Sequence, residues 1–217
     1  MEEKWKISTS PNGNGGWFSS MHKWGLLELV KKEGIEWLNV FAVDNVLQRI
    51  ADPCFVGATI ANGCAAGAKV VKKQAPDERV GVLCLEDGKP SIVEYYELTE
   101  EMKAARDENG EPAYNFGVIL NYIFREKDLE SIMEKQLPLH VVEKKISYMD
   151  RSGAYITPDQ PNGYKYETLV LDMIHQVDNC LPYEVERGKE FAPIKNAVGI
   201  DSVDTARKLC EENGIIL

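Results

Sequence analysis

The stretch EWLNVFAVDN, at residues 36–45, decides the fold class. It is apolar almost without interruption through Val43, and it ends abruptly at Asp44 and Asn45. A strand that is apolar on both faces is typical of the interior of a parallel sheet that helices cover on both sides. Ligands of such sheets bind outside the carboxyl ends of the strands, which makes Asp44 a candidate site residue.

Helical and strand-like patterns alternate on both sides of this run. Before it, residues 19–33 have apolar side chains at helical spacing, and Gly34 is the expected end of that helix. After it, Pro53 is expected to begin a helix, and residues 68–73 have the pattern of another strand. The alternation predicts an α/β fold with a mixed, mostly parallel central sheet flanked by helices.

Two hairpins are predicted within this alternation. The first joins residues 80–86 to residues 91–98, and the connection Asp87-Gly88-Lys89-Pro90 favours a four-residue loop. The second lies at residues 146–156. The remaining predicted elements are a helix at 99–106, a strand and helix within 114–135, a helix at 167–178, a strand at 183–187 and a helix at 202–214.

Composition excludes several classes of protein. The 217 residues are 44% hydrophobic and 28% charged, which is ordinary for a globular chain with a buried core. The net charge of −10 argues against a nucleic-acid surface, and an anionic ligand would need locally concentrated cations or a metal ion. Five widely spaced cysteines without a C-x-x-C pair, and no apolar leader, predict a cytoplasmic protein with reduced thiols.

A glycine-rich segment, PNGNGG at residues 11–16, precedes the first predicted helix. Its glycines allow close approach of the backbone to a ligand, and free N–H groups at a helix start suit a phosphate or a base edge. The alternative is a simple turn, because the segment matches neither G-x-G-x-x-G nor a Walker A loop.

Two charged residues are candidates for phosphate chemistry. Asp44 could hold Mg²⁺, which would bridge phosphate oxygens, or it could only cap the next segment. Lys195, between Pro193 and Asn196, could bind a phosphate as a point charge, or it could be a solvated loop lysine.

Glu94 and Glu97 flank Tyr95 in a predicted strand. These carboxylates could accept hydrogen bonds from a polyol. Alternating exposed carboxylates on a strand would give the same pattern, so both interpretations stay open.

Together these segments resemble the UDP-sugar pyrophosphorylase family, from about residue 7 to about residue 210. They most resemble its UDP-N-acetylglucosamine pyrophosphorylase branch, with UDP-glucose pyrophosphorylase as the sister branch. The matching segments occur in the family's order and read PNGNGG, NVFAVDNVLQRIADPCFVG, AKVVKK, ERVGVLCLEDGKPSIVEYYEL, LPLHVVEKKI and VERGKEFAPIKN.

The resemblance implies a GT-A-like nucleotidyltransferase fold. The implied reaction converts UTP and a sugar 1-phosphate to a UDP-sugar and pyrophosphate, with Mg²⁺. Because the sugar phosphate is the nucleophile, the enzyme needs positioning and charge neutralisation rather than a covalent residue. By motif match, Asp44 would bind the metal and phosphates, and Lys195 would contact a phosphate. Substrate contacts are implied for Gly13, Asn14, Gly81, Glu94, Tyr95, Asn115, Gly117 and Lys165.

One departure from the family concerns its opening loop, of the type L-x-G-G-x-G-T-R-x-G, which this sequence lacks. We therefore expect residues 1–217 to be the C-terminal part of a catalytic domain, incomplete and inactive or weak alone. A separate N-terminal half, or a homo-oligomer, could complete it. The alternative is a noncatalytic nucleotide-sugar-binding chain or a structural partner chain.

A second departure concerns the sugar. Val118 stands where the hexosamine branch has the second Asn of N-x-G-N-I, and a valine cannot pair with a hydroxyl. Leu169 and Leu171 stand where that branch has phenylalanines, so an apolar wall is kept without stacking. Glucose 1-phosphate, N-acetylglucosamine 1-phosphate and a broader range of sugars all stay open.

Overall fold

In a computed structural model, which describes residues 9–133 and 135–216, the chain combines helices with a large sheet, as the α/β prediction requires. The helices are α1 (Trp17–Lys23), α2 (Leu26–Lys32), α3 (Pro53–Ala61), α4 (Glu100–Ala104), α5 (Glu126–Met133), α6 (Leu171–Gln176), α7 (Arg187–Glu190) and α8 (Val203–Glu212). The strands are β1 (Trp37–Phe41), β2 (Ala66–Lys72), β3 (Val82–Glu86), β4 (Lys89–Val93), β5 (Phe116–Arg125), β6 (His140–Lys144), β7 (Tyr148–Met149), β8 (Tyr155–Ile156), β9 (Gly163–Glu167) and β10 (Cys180–Glu184).

The central sheet is mixed, as expected, with the strand order β10-β2-β5-β3-β4 and with β1 also paired to β5. The expectation of mostly parallel pairing is wrong. Strand β5 is antiparallel to β1, β2 and β3, and among the described strands of this sheet only β2 and β10 form a parallel pair. The apolar run of β1 was misleading because all five of its residues are half-buried, and its described partner is β5 alone.

The main core lies between the central sheet and the helices α1, α2, α5 and α6. Phe124 on β5, Leu129 on α5 and Ile174 on α6 are fully buried in it. Helix α3 begins as predicted at Pro53, and the Asp52 carboxylate caps it by accepting a hydrogen bond from the N–H of Cys54 at 3.0 Å. No described helix has the length and apolarity that a membrane crossing would require.

The first predicted helix is two helices. The spacing over residues 19–33 gave one continuous pattern, but Gly25 has a φ of 71° and separates α1 from α2. A single left-handed residue redirects the chain without disturbing the periodicity of apolar side chains, which is why the break was not visible. Gly34, with a φ of 66°, follows α2 where the helix was expected to end.

The first hairpin has a two-residue turn instead of the expected four-residue loop. Glu86 pairs with Lys89, and the turn residues Asp87 and Gly88 both have positive φ values, of 50° and 79°. Two successive positive φ values are typical of a type I′ turn, which matches strand twist. Pro90 is tolerated inside β4 because that strand is at the edge of the sheet.

Helix α6 is shorter than the helix predicted at 167–178, because Glu167 ends strand β9, which pairs with β6 in a two-stranded ribbon, and the helix runs only from Leu171 to Gln176. The second hairpin is present as β7 and β8, and the late strand β10 begins three residues earlier than predicted. Helix α8 begins as predicted after Ser202, which forms a capping box with Thr205. The ribbon leads directly into residues 168–170, which pack against the glycine-rich segment.

Candidate active site

Asp44 and Lys195 are brought together by a short backbone pairing between two loops. The N–H of Ile194 donates to the carbonyl oxygen of Asp44 at 2.9 Å, and the N–H of Val46 donates to the carbonyl oxygen of Ala192 at 3.2 Å. Asp44 follows β1 and is half-buried, whereas Lys195 is exposed. An acidic and a basic side chain therefore face the same cavity from neighbouring loops.

This Asp44–Lys195 cavity has a volume of about 250 Å³. It joins a glycine-loop cleft of about 640 Å³, whose walls include Gly13, Gly16 and Ser19. The two spaces share Asn14 and Asp44 as wall residues. Of the predicted site residues, the Asp44–Lys195 cavity brings together Asn14, Asp44, Gly81, Glu94, Tyr95 and Lys195.

The glycine-rich segment is held against residues 168–170 by backbone hydrogen bonds. The N–H of Gly15 donates to the carbonyl oxygen of Thr168, and the N–H of Thr168 donates to that of Asn12, both at 2.8 Å. Gly13 has a φ of 90°, and a Cβ there would overlap the Thr168 carbonyl oxygen. The glycines are thus needed for close packing of the loop on its own chain, as well as for an open cleft.

Glu94 lines the cavity with a carboxylate whose pKa is raised above its ordinary value. Burial raises the pKa of Glu94, and the charge of Glu97 raises it further, while His140 acts in the opposite direction. Nearby, Nε2 of His140 lies 2.9 Å from Oδ2 of Asp172, which also accepts a hydrogen bond from the N–H of Leu169 at 3.3 Å. The His140–Asp172 pair thereby fixes the loop that carries one apolar wall of the cavity.

Three predicted site residues lie off both of these spaces, which corrects their expected placement. The side chain of Asn115 accepts a hydrogen bond from the backbone N–H of Lys73 at 2.9 Å, so it joins two chain segments. Gly117 is buried under Val80, with no room for a Cβ. Lys165 forms an ion pair with Glu167 on β9 and faces a separate surface cavity beside the ribbon.

The spacing of motifs in the sequence did not show where strand β9 lies. Residues 164–166 all line the separate cavity, and no residue of β9 lines the Asp44–Lys195 cavity. The substrate contacts assigned to Asn115, Gly117 and Lys165 have no support from this geometry.

Comparison with known proteins identifies the family of this chain. The sequence model of the family described as UTP–glucose-1-phosphate uridylyltransferase matches residues 1–207. The chain belongs to this family. UDP-N-acetylhexosamine pyrophosphorylase-like protein 1 of Homo sapiens is 40% identical over 213 residues, which are 96% of this chain and 42% of that protein. UDP-N-acetylglucosamine pyrophosphorylase of Saccharomyces cerevisiae is 35% identical over 218 residues, covering 95% of this chain and 45% of the yeast protein.

Solved structures agree with this assignment. A crystal structure of an Entamoeba histolytica protein, provisionally named a UDP-N-acetylglucosamine pyrophosphorylase, superimposes with a TM-score of 0.90 at 33% identity and covers 97% of this chain and 53% of that one. The Trypanosoma brucei uridine diphosphate N-acetylglucosamine pyrophosphorylase superimposes with a TM-score of 0.81 at 27% identity, over 96% and 43% of the respective chains. The resemblance and the fold that it implied are confirmed, and the chain spans less than half the length of these curated relatives.

Three apolar residues mark where this uridylyltransferase-family chain departs from the expected sugar pattern. Val118, Leu169 and Leu171 all line the Asp44–Lys195 cavity. The departures noted in the sequence therefore lie on the wall of the cavity and not on a remote surface. With Val118 in place of an asparagine, this wall of the cavity is more apolar than the family pattern would make it.

Arg79 is a cavity residue that sequence reasoning missed. It is exposed, it precedes β3, and it lines the Asp44–Lys195 cavity together with Gly81 and Glu94. Its only signal in the sequence was its nearness to Gly81, a predicted substrate contact, since an arginine is a natural partner for an anion. The cavity thus has two cationic side chains, Arg79 and Lys195, in a chain whose net charge is −10.

The Asp44 carboxylate suits a divalent cation whose other ligands are phosphate oxygens and water. Within residues 9–133 and 135–216, no hydrogen bond or ion pair uses the Asp44 carboxylate, and no cluster of three or more His, Cys, Asp or Glu side chains forms a complete metal site. One carboxylate together with substrate phosphates and water is a usual ligand set for Mg²⁺. The residues present therefore fit a metal that arrives with a nucleotide.

Proposed function

We propose that this chain supplies the sugar-phosphate and metal-binding part of a UTP:sugar-1-phosphate uridylyltransferase. The observation that carries the proposal is the placement of Asp44 beside Lys195 on a cavity that shares five wall residues with the glycine-loop cleft. The names of the relatives, which are 35–40% identical to this chain, support the same activity.

The proposed binding mode assigns one substrate to each space. UTP would lie along the glycine-loop cleft, where Gly13 and Asn14 let its base and ribose approach the backbone. The sugar 1-phosphate would lie in the Asp44–Lys195 cavity, with Glu94 accepting hydrogen bonds from sugar hydroxyls. The shared wall at Asp44 would then face the α-phosphate of UTP, where the two substrates meet.

The chemistry proposed for these residues is positioning and charge neutralisation. An oxygen of the sugar 1-phosphate attacks the α-phosphorus of UTP, and pyrophosphate leaves. The Lys195 ammonium would hold a phosphate in line and stabilise the charge of the transition state. The Asp44 carboxylate would hold Mg²⁺, which when bound neutralises phosphate charge and orients the leaving group.

For the sugar, we favour N-acetylglucosamine 1-phosphate over glucose 1-phosphate. The named relatives at 35–40% identity support it, and the apolar wall of Leu169 and Leu171 suits an acetamido methyl group. A panel of sugar 1-phosphates decides: a higher kcat/KM with glucose 1-phosphate would reject this choice. The variant Val118→Asn should raise kcat/KM for the hexosamine further, whereas Val198→Asn, at an exposed position, should not.

We also propose that activity requires the N-terminal, nucleotide-loop part of a family member. Apolar side chains close to β1 are exposed: Val43, two residues after the strand, at 94%, and Ile50, next to Ala51 whose N–H donates to Asn39 of β1, at 59%. Exposed apolar groups beside a strand edge are suited to packing by another segment. A homo-oligomer that covers the same face is the alternative arrangement.

The unpaired state of all five cysteines supports a reducing, cytoplasmic location.

The test of the proposed function measures UDP-sugar formation from UTP, sugar 1-phosphate and Mg²⁺. We expect little activity from the chain alone and a large increase when the N-terminal part of a relative is added. Full activity alone would reject the requirement for a second segment. Binding of UDP-sugar without turnover, even with that segment present, would favour a noncatalytic nucleotide-sugar-binding chain. Absence of both binding and turnover would reject the proposal.

A further inference from the structure

A cluster of charged side chains includes Glu190, which lies in the segment that carries Lys195. Nζ of Lys69, on β2 and fully buried, is 2.9 Å from Oδ2 of Asp52 and 2.5 Å from Oε2 of Glu190. The guanidinium of Arg49 lies 3.8 Å from the other carboxylate oxygen of Glu190. The two carboxylates are balanced by Lys69, which is fully buried, and by Arg49, whose side chain is largely exposed, so removing Lys69 would leave both carboxylates without their main partner. Burial raises the pKa of Asp52, but Lys69 outweighs that effect and holds it below its ordinary value.

Asn45 is hydrogen-bonded to the same segment, at residues 190 and 192. It is 3% exposed, and its Nδ2 donates to the carbonyl oxygen of Glu190 at 2.7 Å. Its Oδ1 accepts from the N–H of Ala192 at 2.8 Å and from the N–H of Leu47 at 3.3 Å. The residue after Asp44 therefore ties residues 190–192 to the loop that carries the proposed metal ligand.

The segment is also fixed after Lys195. The N–H groups of Lys195 and Asn196 donate to the carbonyl oxygen of Asp201 at 2.7 and 2.9 Å. The backbone of Lys195 therefore lies between two anchors. Neither Asn45 nor Glu190 lines the Asp44–Lys195 cavity, so they would have to act through residues that do.

We propose that Glu190 and Asn45 are positioning residues for uridylyl transfer, and that they act by fixing the backbone from which Lys195 reaches the phosphate. This inference rests on the proposed function. A lysine side chain is long and flexible, so its position in the transition state depends on where its backbone is held. A displacement of ~1 Å at a reacting group can lower a rate by ~100-fold.

The kinetic test uses this chain together with the N-terminal part of a relative, the combination expected to be active. Glu190→Gln keeps the side-chain shape and removes the charge that pairs with Lys69, and Asn45→Ala removes three hydrogen bonds. Each should lower kcat ~10-fold or more while KM for the sugar 1-phosphate changes less than ~3-fold. Asp128→Asn removes the charge from an equally short but partly exposed ion pair with Arg125, outside the site, and should leave kcat unchanged. Equal losses in all three variants would contradict the proposal.

A double-variant cycle separates positioning from general stability. If Glu190 acts through Lys195, then Glu190→Gln should cause no further loss of kcat in the Lys195→Ala background. If Glu190 only stabilises the fold, the two losses should multiply. Multiplicative losses would overturn the proposal.

A measurement independent of activity keeps the inference testable if the proposed function fails. Amide hydrogen exchange of the chain should become faster at residues 44–46 and 190–195 in Glu190→Gln and Asn45→Ala, with protection of β5 unchanged. Unchanged exchange at residues 190–195 would contradict the proposed anchoring even in an active enzyme. Faster exchange there in an assembly that makes no UDP-sugar would reject the function and keep the anchoring.

Discussion

The side-chain oxygen of Asn14 accepts a hydrogen bond from the backbone N–H of Val170 at 2.8 Å. This contact joins the glycine-rich segment to the loop that precedes α6. Both residues line the Asp44–Lys195 cavity and the glycine-loop cleft, so one hydrogen bond connects the two walls where the substrates are proposed to meet. The shape of the site therefore depends on how closely these segments pack.

We predict that Gly13→Ala weakens UDP-sugar binding ~10-fold or more, because its Cβ would displace Thr168 and widen the cleft. Gly57→Ala on α3 is the control, since a Cβ there would meet nothing within 4 Å and the residue lines neither space. Calorimetric titration of the two variants with UDP-sugar and Mg²⁺ measures the difference. Equal affinities would show that close packing at Gly13 does not shape the site.

We predict that Asp44→Asn and Lys195→Met each lower kcat by ~10²–10³-fold, because each removes a charge that acts on the phosphates. The Asp44 variant should also lose the dependence of UDP-sugar binding on Mg²⁺. Suitable controls are Asp204→Asn and Lys208→Met on the surface of α8, where both side chains are exposed. Pyrophosphate release is the measurement, and retention of wild-type turnover by either site variant would refute its assigned role.

The raised pKa of Glu94 predicts a pH-dependent stability. Because burial and Glu97 raise the folded-state pKa of Glu94, the folded protein binds this proton more tightly than the unfolded chain does. That stabilisation is fully present below the unfolded-state pKa, and it is lost as the pH rises from 4.5 through the folded-state pKa.

Glu94→Gln should therefore gain stability relative to wild type across that pH range. Urea unfolding at a series of pH values measures the difference in unfolding free energy. Glu212→Gln, at an exposed position on α8, is the control and should show no such trend. A constant difference between Glu94→Gln and wild type would contradict the predicted direction.

We predict opposite stability effects at two glycines near the contact of α3 with β2. A Cβ at Gly67 would lie 2.6 Å from Oγ1 of Thr59 and 2.8 Å from the ring of Phe55, both buried. Gly67→Ala should therefore lower the free energy of unfolding by ~1–3 kcal/mol. Gly57→Ala, on the open side of α3, should raise it by ~0.5–1 kcal/mol. Chemical denaturation of both variants tests the pair, and equal signs would contradict this packing.

Much of the candidate site could be predicted because its residues lie in short, continuous motifs that can be recognised in the sequence. Asn14, Asp44 and Lys195 each lie in a short segment whose order along the chain matches the family, and all three line one cavity. Arg79 was missed because a single arginine in a loop carries no pattern. Lys165 was misplaced because the pairing of β9 with β6 in a separate ribbon is a contact between distant segments, and it puts the whole strand off the Asp44–Lys195 cavity.

Local features followed from neighbouring residues: the helix starts at Pro53 and Ser202, the glycine-rich loop, and the strand-like segments that form β1 and β2. These depend on capping, backbone freedom and periodicity, which act between residues close along the chain. The tertiary structure alone decided that β1 is antiparallel to β5 and that Lys69 is buried against Glu190. Such features depend on contacts between segments far apart in sequence, where burial of a charge is stable only once its partners have come together.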